Sequence, residues 1–363
     1  MADPAIQRLY LKSVLSLPPP VLRALSGGGV IWRGGRTLDP RFQFLWKAWR
    51  KPRGIASVTP EEARTTWAEM VETAAPRAPS MVRVDTVMID GPASTLTARL
   101  YRPSTLDPAA PVLVFFHDGA GVVGDLETSH ALCARLAEYG QCLVLAPAYR
   151  LAPEHRFPAG FDDAFAAYAW ALENAERLGG PPGVAAVGGQ SIGAGFAAGI
   201  CAALKAERQP QPVLQLLICP LVDIADESQS MQTYADAWPL SAQALKWVLG
   251  WYLSADADPN DPRLSPLRAD VAGFAPALIV TAGFDPLADQ GESYARKLKS
   301  KGVPVIYRCY DGLPHAFPEF AGLVPCAEVA CTEIAGFLRE GLEGRLVRAA
   351  ALPDHQDSMS LVI

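Results

Sequence analysis

The stretch Val184-Ala185-Ala186-Val187-Gly188-Gly189-Gln190-Ser191-Ile192-Gly193-Ala194-Gly195 decides how this chain folds. A short apolar run ends in glycine, and a run of small residues follows Ser191. This is the pattern of a strand that enters a helix through a very tight turn. Gly189 and Gly193 flank the serine at the two positions where a side chain would collide with that turn. Glycine inside a helix costs about 1 kcal/mol relative to alanine. Gly195 and Gly199 therefore imply a helix packed closely on a sheet.

Outward from this elbow the same rhythm repeats. VRVDTVMID (82–90) and TLTARLYR (95–102), joined by GPAS, read as an antiparallel pair. Buried-type strands follow at PVLVFFH (111–117), CLVLAPAY (142–149), VAAVGG (184–189), VLQLLICP (213–220), ALIVTAG (277–283) and VPVIYRCY (303–310). Helices are expected near 128–139, 160–178, from 192, and 324–342. Continuous apolar strands spaced by helices predict an α/β fold, a mostly parallel central sheet of about eight strands with helices on both faces. A ligand then belongs at the carboxyl ends of the strands.

The 363 residues are 50% hydrophobic and 19% charged, enough for a large core and against wholesale disorder. The net charge of -6 argues against a nucleic-acid binder, but it is unevenly spread. Residues 1–55 hold ten Lys or Arg against two Asp or Glu, and PPP (18–20) and GGG (27–29) break their helical stretches. Trp32, Trp46, Trp49 and Trp67 also fall near this end. We read residues 1–75 as a solvated helical cap whose aromatics pack on the main body, with no large lipid-binding surface. The interval 225–275, with Trp238, Trp247 and Trp251, breaks the strand–helix rhythm and reads as a second cap contribution. Residues 76–345 form the expected catalytic domain, and 346–363 a polar tail. No apolar run approaches the roughly 18 residues of a membrane span, so no integral membrane contact is expected. The seven cysteines form no C-x-x-C, and Cys326 and Cys331 match no zinc spacing. No signal peptide is evident, so a reducing, cytoplasmic setting is expected.

A serine hydroxyl needs a base to act as a nucleophile, and an acid to orient that base. Of His117, His130, His155, His315 and His355, only His315 lies just past the last strand, in YDGLPHAF. Asp285 follows ALIVTAG in the turn Phe284-Asp285-Pro286, with Asp289 and Asp311 in reserve. Nucleophile, acid and base in the order Ser191, Asp285, His315 is the chain order of one known hydrolase triad. The loop His117-Asp118-Gly119-Ala120-Gly121 ends an earlier strand and could point backbone N–H groups at a developing oxyanion, joined by that of Ile192.

Five segments carry a resemblance: FFHDGAGVVGDLETSH, YRLAPEHRFPAGFDDA, GGQSIGAG, TAGFDPLADQGE and YDGLPHAF, in that order. Together they resemble a bacterial carboxylesterase of the hormone-sensitive-lipase-like group (family IV) of α/β-hydrolases, from about residue 75 to residue 342. The resemblance implies Ser191 as nucleophile, Asp285 as acid and His315 as base. It implies an oxyanion hole of Gly119, Ala120 and Ile192, and a helical cap over the site. It implies hydrolysis of short- to medium-chain esters with no metal or organic cofactor, and a homodimer through the last strand and helix. Three places depart from the family pattern. Asp118 stands where glycine is usual, Gln190 where aspartate is usual, and Gly121 where a bulky residue is common. Gly121 is expected to touch substrate by opening the acyl pocket. Ala120 and Ile192 also replace smaller residues, and a non-glycine at 120 takes a positive φ only at a cost.

Two rival readings stand beside this one. Gly119-x-Gly121-x-x-Gly124 is formally a dinucleotide fingerprint, but the next strand ends in Arg150 rather than an acid. A non-catalytic small-molecule binder could use the same fold. Within hydrolases, lactones and aryl amides are the alternative substrates.

Overall fold

The computed structural model describes residues 4–49, 58–107 and 109–344. The tail expected at 346–363, with His355, lies outside the described residues. A two-strand ribbon, β1 (Trp32–Arg33) and β2 (Arg36–Thr37), precedes the main sheet. That sheet holds β3 (Arg83–Asp90), β4 (Thr95–Arg102), β5 (Val112–Phe116), β6 (Leu143–Pro147), β7 (Ala185–Gln190), β8 (Gln215–Ile218), β9 (Ala277–Phe284) and β10 (Val305–Pro314). Their spatial order is β10-β9-β8-β7-β5-β6-β4-β3. Only β4 runs against its neighbours, β6 and β3; every other pairing is parallel. The doubly wound, mostly parallel sheet expected from the sequence is present, each strand where an apolar run was read.

Strand position explains strand composition. Every residue of β5 through β9 is buried, because helices cover both faces. The edge strand β3 alternates in exposure and carries Arg83 and Asp85, charges that discourage edge-to-edge pairing. One face is covered by α6 (Ala159–Glu173), α8 (Ile192–Ala206) and α11 (Ala288–Ser300), through residues such as Phe161, Phe196 and Tyr294. The other is covered by α5 (His130–Gly140) and α12 (Pro325–Leu342), through Leu136, Ile334 and Leu338. The helix expected over 160–178 divides. The side chain of Asn174 bonds the Trp170 carbonyl and ends α6, and α7 (Ala175–Leu178) follows.

The N-terminal segment forms α1 (Pro4–Leu15), α2 (Pro19–Leu25), α3 (Pro40–Trp49) and α4 (Pro60–Ala74). PPP and GGG break it as expected. Pro19 and Pro20 open α2, where a missing N–H costs nothing, and Gly27, Gly28 and Gly29 all take positive φ. The helix α4 begins with a capping box, in which Thr59 and Glu62 satisfy each other's backbone N–H. In the 225–275 interval the structure has α9 (Gln229–Thr233) and α10 (Ala242–Tyr252). No helix of the described residues is long and apolar enough to cross a membrane.

The dinucleotide reading fails on this geometry. The glycine loop runs through turns until α5 begins at His130, so it does not open a helix. The Arg150 guanidinium is held by the fully buried Asp163 through two 2.7 Å bonds and is not free for a phosphate.

Candidate active site

The elbow forms where β7 meets α8. Ser191 has φ 54° and ψ -118°, a region that L-residues avoid. Its N–H donates to the Ile218 carbonyl at 2.9 Å, and its own carbonyl accepts from Leu221 at 3.0 Å and Gly195 at 3.1 Å. A Cβ on Gly193 would sit 2.1 Å from the Phe116 oxygen, and one on Gly189 2.3 Å from the Gly193 carbonyl carbon. The two flanking glycines are therefore steric requirements of the turn. Gly195 and Gly199 are closely packed too, but not on the sheet as expected. A Cβ on Gly195 would lie 2.3 Å from the Leu221 oxygen in the loop after β8, and one on Gly199 2.8 Å from the Phe161 ring on α6.

The structure brings the three expected residues together. His315 Nε2 lies 3.1 Å from Ser191 Oγ, and His315 Nδ1 lies 2.7 Å from Asp285 Oδ2. Asp285 is fully buried, and its other oxygen accepts the Leu287 N–H at 2.8 Å. That arrangement places the proton on Nδ1 and leaves the Nε2 lone pair facing the hydroxyl. Burial pushes the His315 pKa down. The Asp285 charge, their hydrogen bond and the Asp118 charge outweigh it, and the net shift is upward.

Neither reserve acid reaches the imidazole. Asp289 accepts from the Ser230 N–H, and Asp311 pairs with Arg36 at the surface. His117 is buried beneath the glycine loop, stacked 4.2 Å from Tyr149, and burial lowers its pKa to about 4. His130 bonds Tyr101, and His155 lines a shallow outer groove. Cys219 is the one group that joins Asp285 and His315 in a cluster tight enough to suggest a metal among the described residues, their ligand atoms lying within 4.8 Å. The acid and imidazole already bond each other there, and burial keeps the thiol protonated.

The glycine loop is left-handed throughout: φ is 108° at Gly119, 52° at Ala120 and 72° at Gly121. Gly119 accepts the N–H groups of Val122 and Val123 at 3.0 Å each, closing a tight turn. Gly119 and Ala120 face the same cavity as Ser191 and His315. Among the described residues, the N–H groups of Gly119, Ala120 and Ile192 bond no acceptor. The Ile192 side chain is turned into the core beneath the turn, so it does not crowd the nucleophile.

A family model described as the alpha/beta hydrolase fold matches residues 113–319, more than half of the chain. The carboxylic ester hydrolase LipN of Mycobacterium tuberculosis is 38% identical over 335 residues, covering 90% of this chain and 89% of LipN. The ethyl acetate hydrolase of Pseudomonas putida is 39% identical over 252 residues, 68% of this chain and 79% of that protein. Among solved structures, an alpha/beta hydrolase from the metagenome of Lake Arreo superposes with a TM-score of 0.79 at 34% identity. It covers 84% of this chain and 96% of that one. The chain belongs to the α/β-hydrolases, among their carboxylesterases.

The structure adds three features to the sequence reading of this hydrolase. The first is the cavity, about 710 Å³, whose walls include Trp46, Trp49, Trp67, Trp238 and Trp247. The tryptophans of the N-terminal segment were expected to pack on the body, and Trp46, Trp49 and Trp67 do; with Trp238 and Trp247 they also face the space above Ser191. The second is Asp118, whose carboxylate looks into that cavity beside His315. Burial raises its pKa to about 6 against the pull of the His315 charge. The buried Trp67 indole N–H, outside hydrogen-bond geometry, also favours its charged form. Behind the nucleophile, Gln190 donates to the buried Glu319 at 3.0 Å. Burial and Asp118 hold that acid well above its ordinary pKa.

The third is Arg64, from α4. Its guanidinium donates to the Val122 carbonyl at 2.8 Å, to the Ala152 carbonyl at 2.8 Å, and to both Glu154 oxygens at 2.9 and 2.6 Å. A helix of the N-terminal segment is thus bonded directly to the glycine loop. Gly121 corrects an expectation. It does not open the acyl pocket, because it lies outside the cavity wall. A Cβ there would sit 2.6 Å from the Tyr252 ring. The glycine is needed for a positive φ and for that close approach, and its carbonyl accepts from Ala152 at 2.8 Å.

Proposed function

We propose that this chain is a serine carboxylesterase that hydrolyses short- to medium-chain esters in two acyl-transfer steps. Ser191 Oγ attacks the ester carbonyl as its proton passes to His315 Nε2. The N–H groups of Gly119, Ala120 and Ile192 receive the oxyanion. His315 protonates the departing alcohol, takes a proton from water as that water attacks the acyl-enzyme, and returns a proton to Ser191 Oγ as the acid leaves. Asp285 holds the imidazole in one tautomer and stabilises its cation. The observation that carries this reading is the relay Ser191–His315–Asp285, at 3.1 and 2.7 Å, beside unengaged backbone donors. A 710 Å³ indole-lined cavity supports acyl or alcohol groups larger than acetate, aromatic ones included. Residues 1–75 and 225–275 act as the cap that walls this space.

The deciding experiment is turnover of p-nitrophenyl esters together with labelling by a fluorophosphonate. Ser191→Ala is expected to abolish labelling and to lower kcat by at least about 10⁴-fold. A variant that still turns over at a tenth of the wild-type rate rejects the assignment. The pH profile is a second check. Catalysis needs neutral His315, whose pKa is raised, so the rate is expected to climb with pH through a midpoint above that of free histidine.

A further inference from the structure

Thirteen large apolar side chains are exposed among the described residues, and seven of them fall within residues 6–32. On α1, Ile6, Leu9 and Tyr10 are spaced as neighbours on one helix face, and each is more than 60% exposed. The opposite face of α1 carries the buried Leu11 and Leu15. On α2, Val21 and Leu25 point outward while Leu22 is buried. Trp32, in β1, is 65% exposed. The helix α1 therefore has two apolar faces, and the body covers only one.

The charge around this face supplies the second observation. Residues 1–55 carry ten Lys or Arg against two Asp or Glu, whereas the rest of the chain is acidic. Arg33, Arg36 and Arg41 are paired with Asp236, Asp311 and Asp39. Arg8 donates to the carbonyls of Glu72, Thr73 and Ala75 and forms no ion pair at contact distance, though the Glu72 charge favours it. Lys12, Arg23 and Lys47 have no ion pair among the described residues, and Lys12 and Lys47 are exposed. An aliphatic stripe on a helix that also exposes Lys12, in a segment with an excess of Lys and Arg, matches an anionic bilayer surface. Two copies of the chain meeting through this face would instead oppose like charges. A nucleic acid would leave Ile6 and Leu9 in water.

We propose that the outer face of α1, with α2 and Trp32 beside it, docks the protein peripherally on membranes that carry anionic lipid. This revises the reading of the segment as merely solvated: Trp46, Trp49 and Trp67 line the cavity, whereas Trp32 and the aliphatic residues on the outer faces of α1 and α2 turn outward. The docking itself does not depend on the esterase reading. Its use would: α1 is tied by Arg8 to α4, and α4 lends Trp67 and Met70 to the cavity wall. A docked cap would set that wall near apolar esters dissolved in the bilayer.

The test is co-flotation of the full chain with vesicles of phosphatidylcholine alone and of phosphatidylcholine mixed with phosphatidylglycerol. Trp32 fluorescence, read against Trp32→Phe, reports depth. The expected result is binding to the anionic vesicles, weakened by salt, with a blue shift that Trp32→Phe removes. The triple variant Ile6→Ser, Leu9→Ser, Tyr10→Ser is expected to weaken partitioning by more than about tenfold. Lys12→Glu is expected to weaken it about tenfold. All four side chains are exposed, and circular dichroism checks that the variants fold. Failure of the wild type to float with anionic vesicles overturns the proposal. So does a wild-type dimer in sedimentation that the triple variant dissociates, since the face would then be an interface between copies.

Discussion

The elbow around Ser191 and the loop around Ala120 both hold a non-glycine residue at positive φ and secure it differently. Ser191 sits at φ 54° and Ala120 at φ 52°. The elbow is self-contained: strand, serine and helix are contiguous, and two glycines let the backbone close on itself. The loop is held from outside. Its left-handed run is tied to a neighbouring loop by the Gly121 carbonyl, and to α4 by Arg64 on the Val122 carbonyl. In our reading, the nucleophile belongs to the sheet, whereas the oxyanion donors depend on where the cap sits.

Breaking the elbow should have the largest effect. Gly193→Ala places a methyl within about 2 Å of backbone that cannot move without shifting β5. Turnover is expected to fall by at least about 10³-fold, with loss of fluorophosphonate labelling. Normal labelling would mean that the turn tolerates a side chain. Next comes the tie between cap and loop. Arg64→Ala is expected to lower kcat about 10- to 100-fold on p-nitrophenyl acetate, with KM nearly unchanged. An acetate ester is small enough to leave the cap untouched. A trifluoromethyl ketone, which mimics the oxyanion, should lose affinity in parallel with kcat/KM. Arg64→Lys should recover part of it, since one ammonium cannot reproduce the forked contacts. If instead Arg64→Ala only lowers the melting temperature, the guanidinium is a structural strut.

The same contrast governs what the sequence could reveal. The elbow was legible because its constraint is local: glycine at both flanks of a serine between a strand and a helix. Asp285 and His315 were legible because each follows a strand, and parallel strands end on one edge. The loop was half legible. Its glycines announced a turn, but which side of Gly121 faces substrate depends on Tyr252, 131 positions away on α10. Arg64 carried no signal, since its three partner residues lie 58 to 90 residues off and two of them accept through main-chain carbonyls. The tryptophans of the N-terminal segment were read as packing on the body, which Trp46, Trp49 and Trp67 do, but periodicity cannot say that the same rings also wall a cavity. The split at Asn174 depended on a single side-chain bond, below the resolution of any apolar pattern.

Asp118 sharpens the comparison at the point where loop and elbow meet. Its carboxylate raises the His315 pKa, a smaller influence than burial or Asp285. Removing the charge in Asp118→Asn must therefore lower that pKa. The imidazole then stays neutral to a lower pH, and the acid limb of kcat/KM against pH should move toward acid. The variant should gain severalfold on wild type at mildly acidic pH, with a smaller difference at alkaline pH. A limb that stays in place would show that Asp118 is already protonated where His315 titrates, and one that moves toward alkali would reject its role in raising that pKa.

The smallest effect is the most discriminating. Ala120 holds a left-handed conformation that costs an L-residue about 1–2 kcal/mol. Glycine takes it freely, although glycine also gains more freedom when unfolded. In an ordinary right-handed position, alanine to glycine destabilises by about 1 kcal/mol. At φ 52° the sign should reverse, and Ala120→Gly should raise the melting temperature by about 2 °C. The rate should move the other way. If the Ala120 methyl stiffens the loop, a looser loop aims its N–H groups less well, and kcat should drop by about two- to fivefold. Stability up and turnover down would mark the strain as part of how the donors are held in place. A fall in both would mean that the methyl, which is buried against the cavity, matters more for its packing than for its φ.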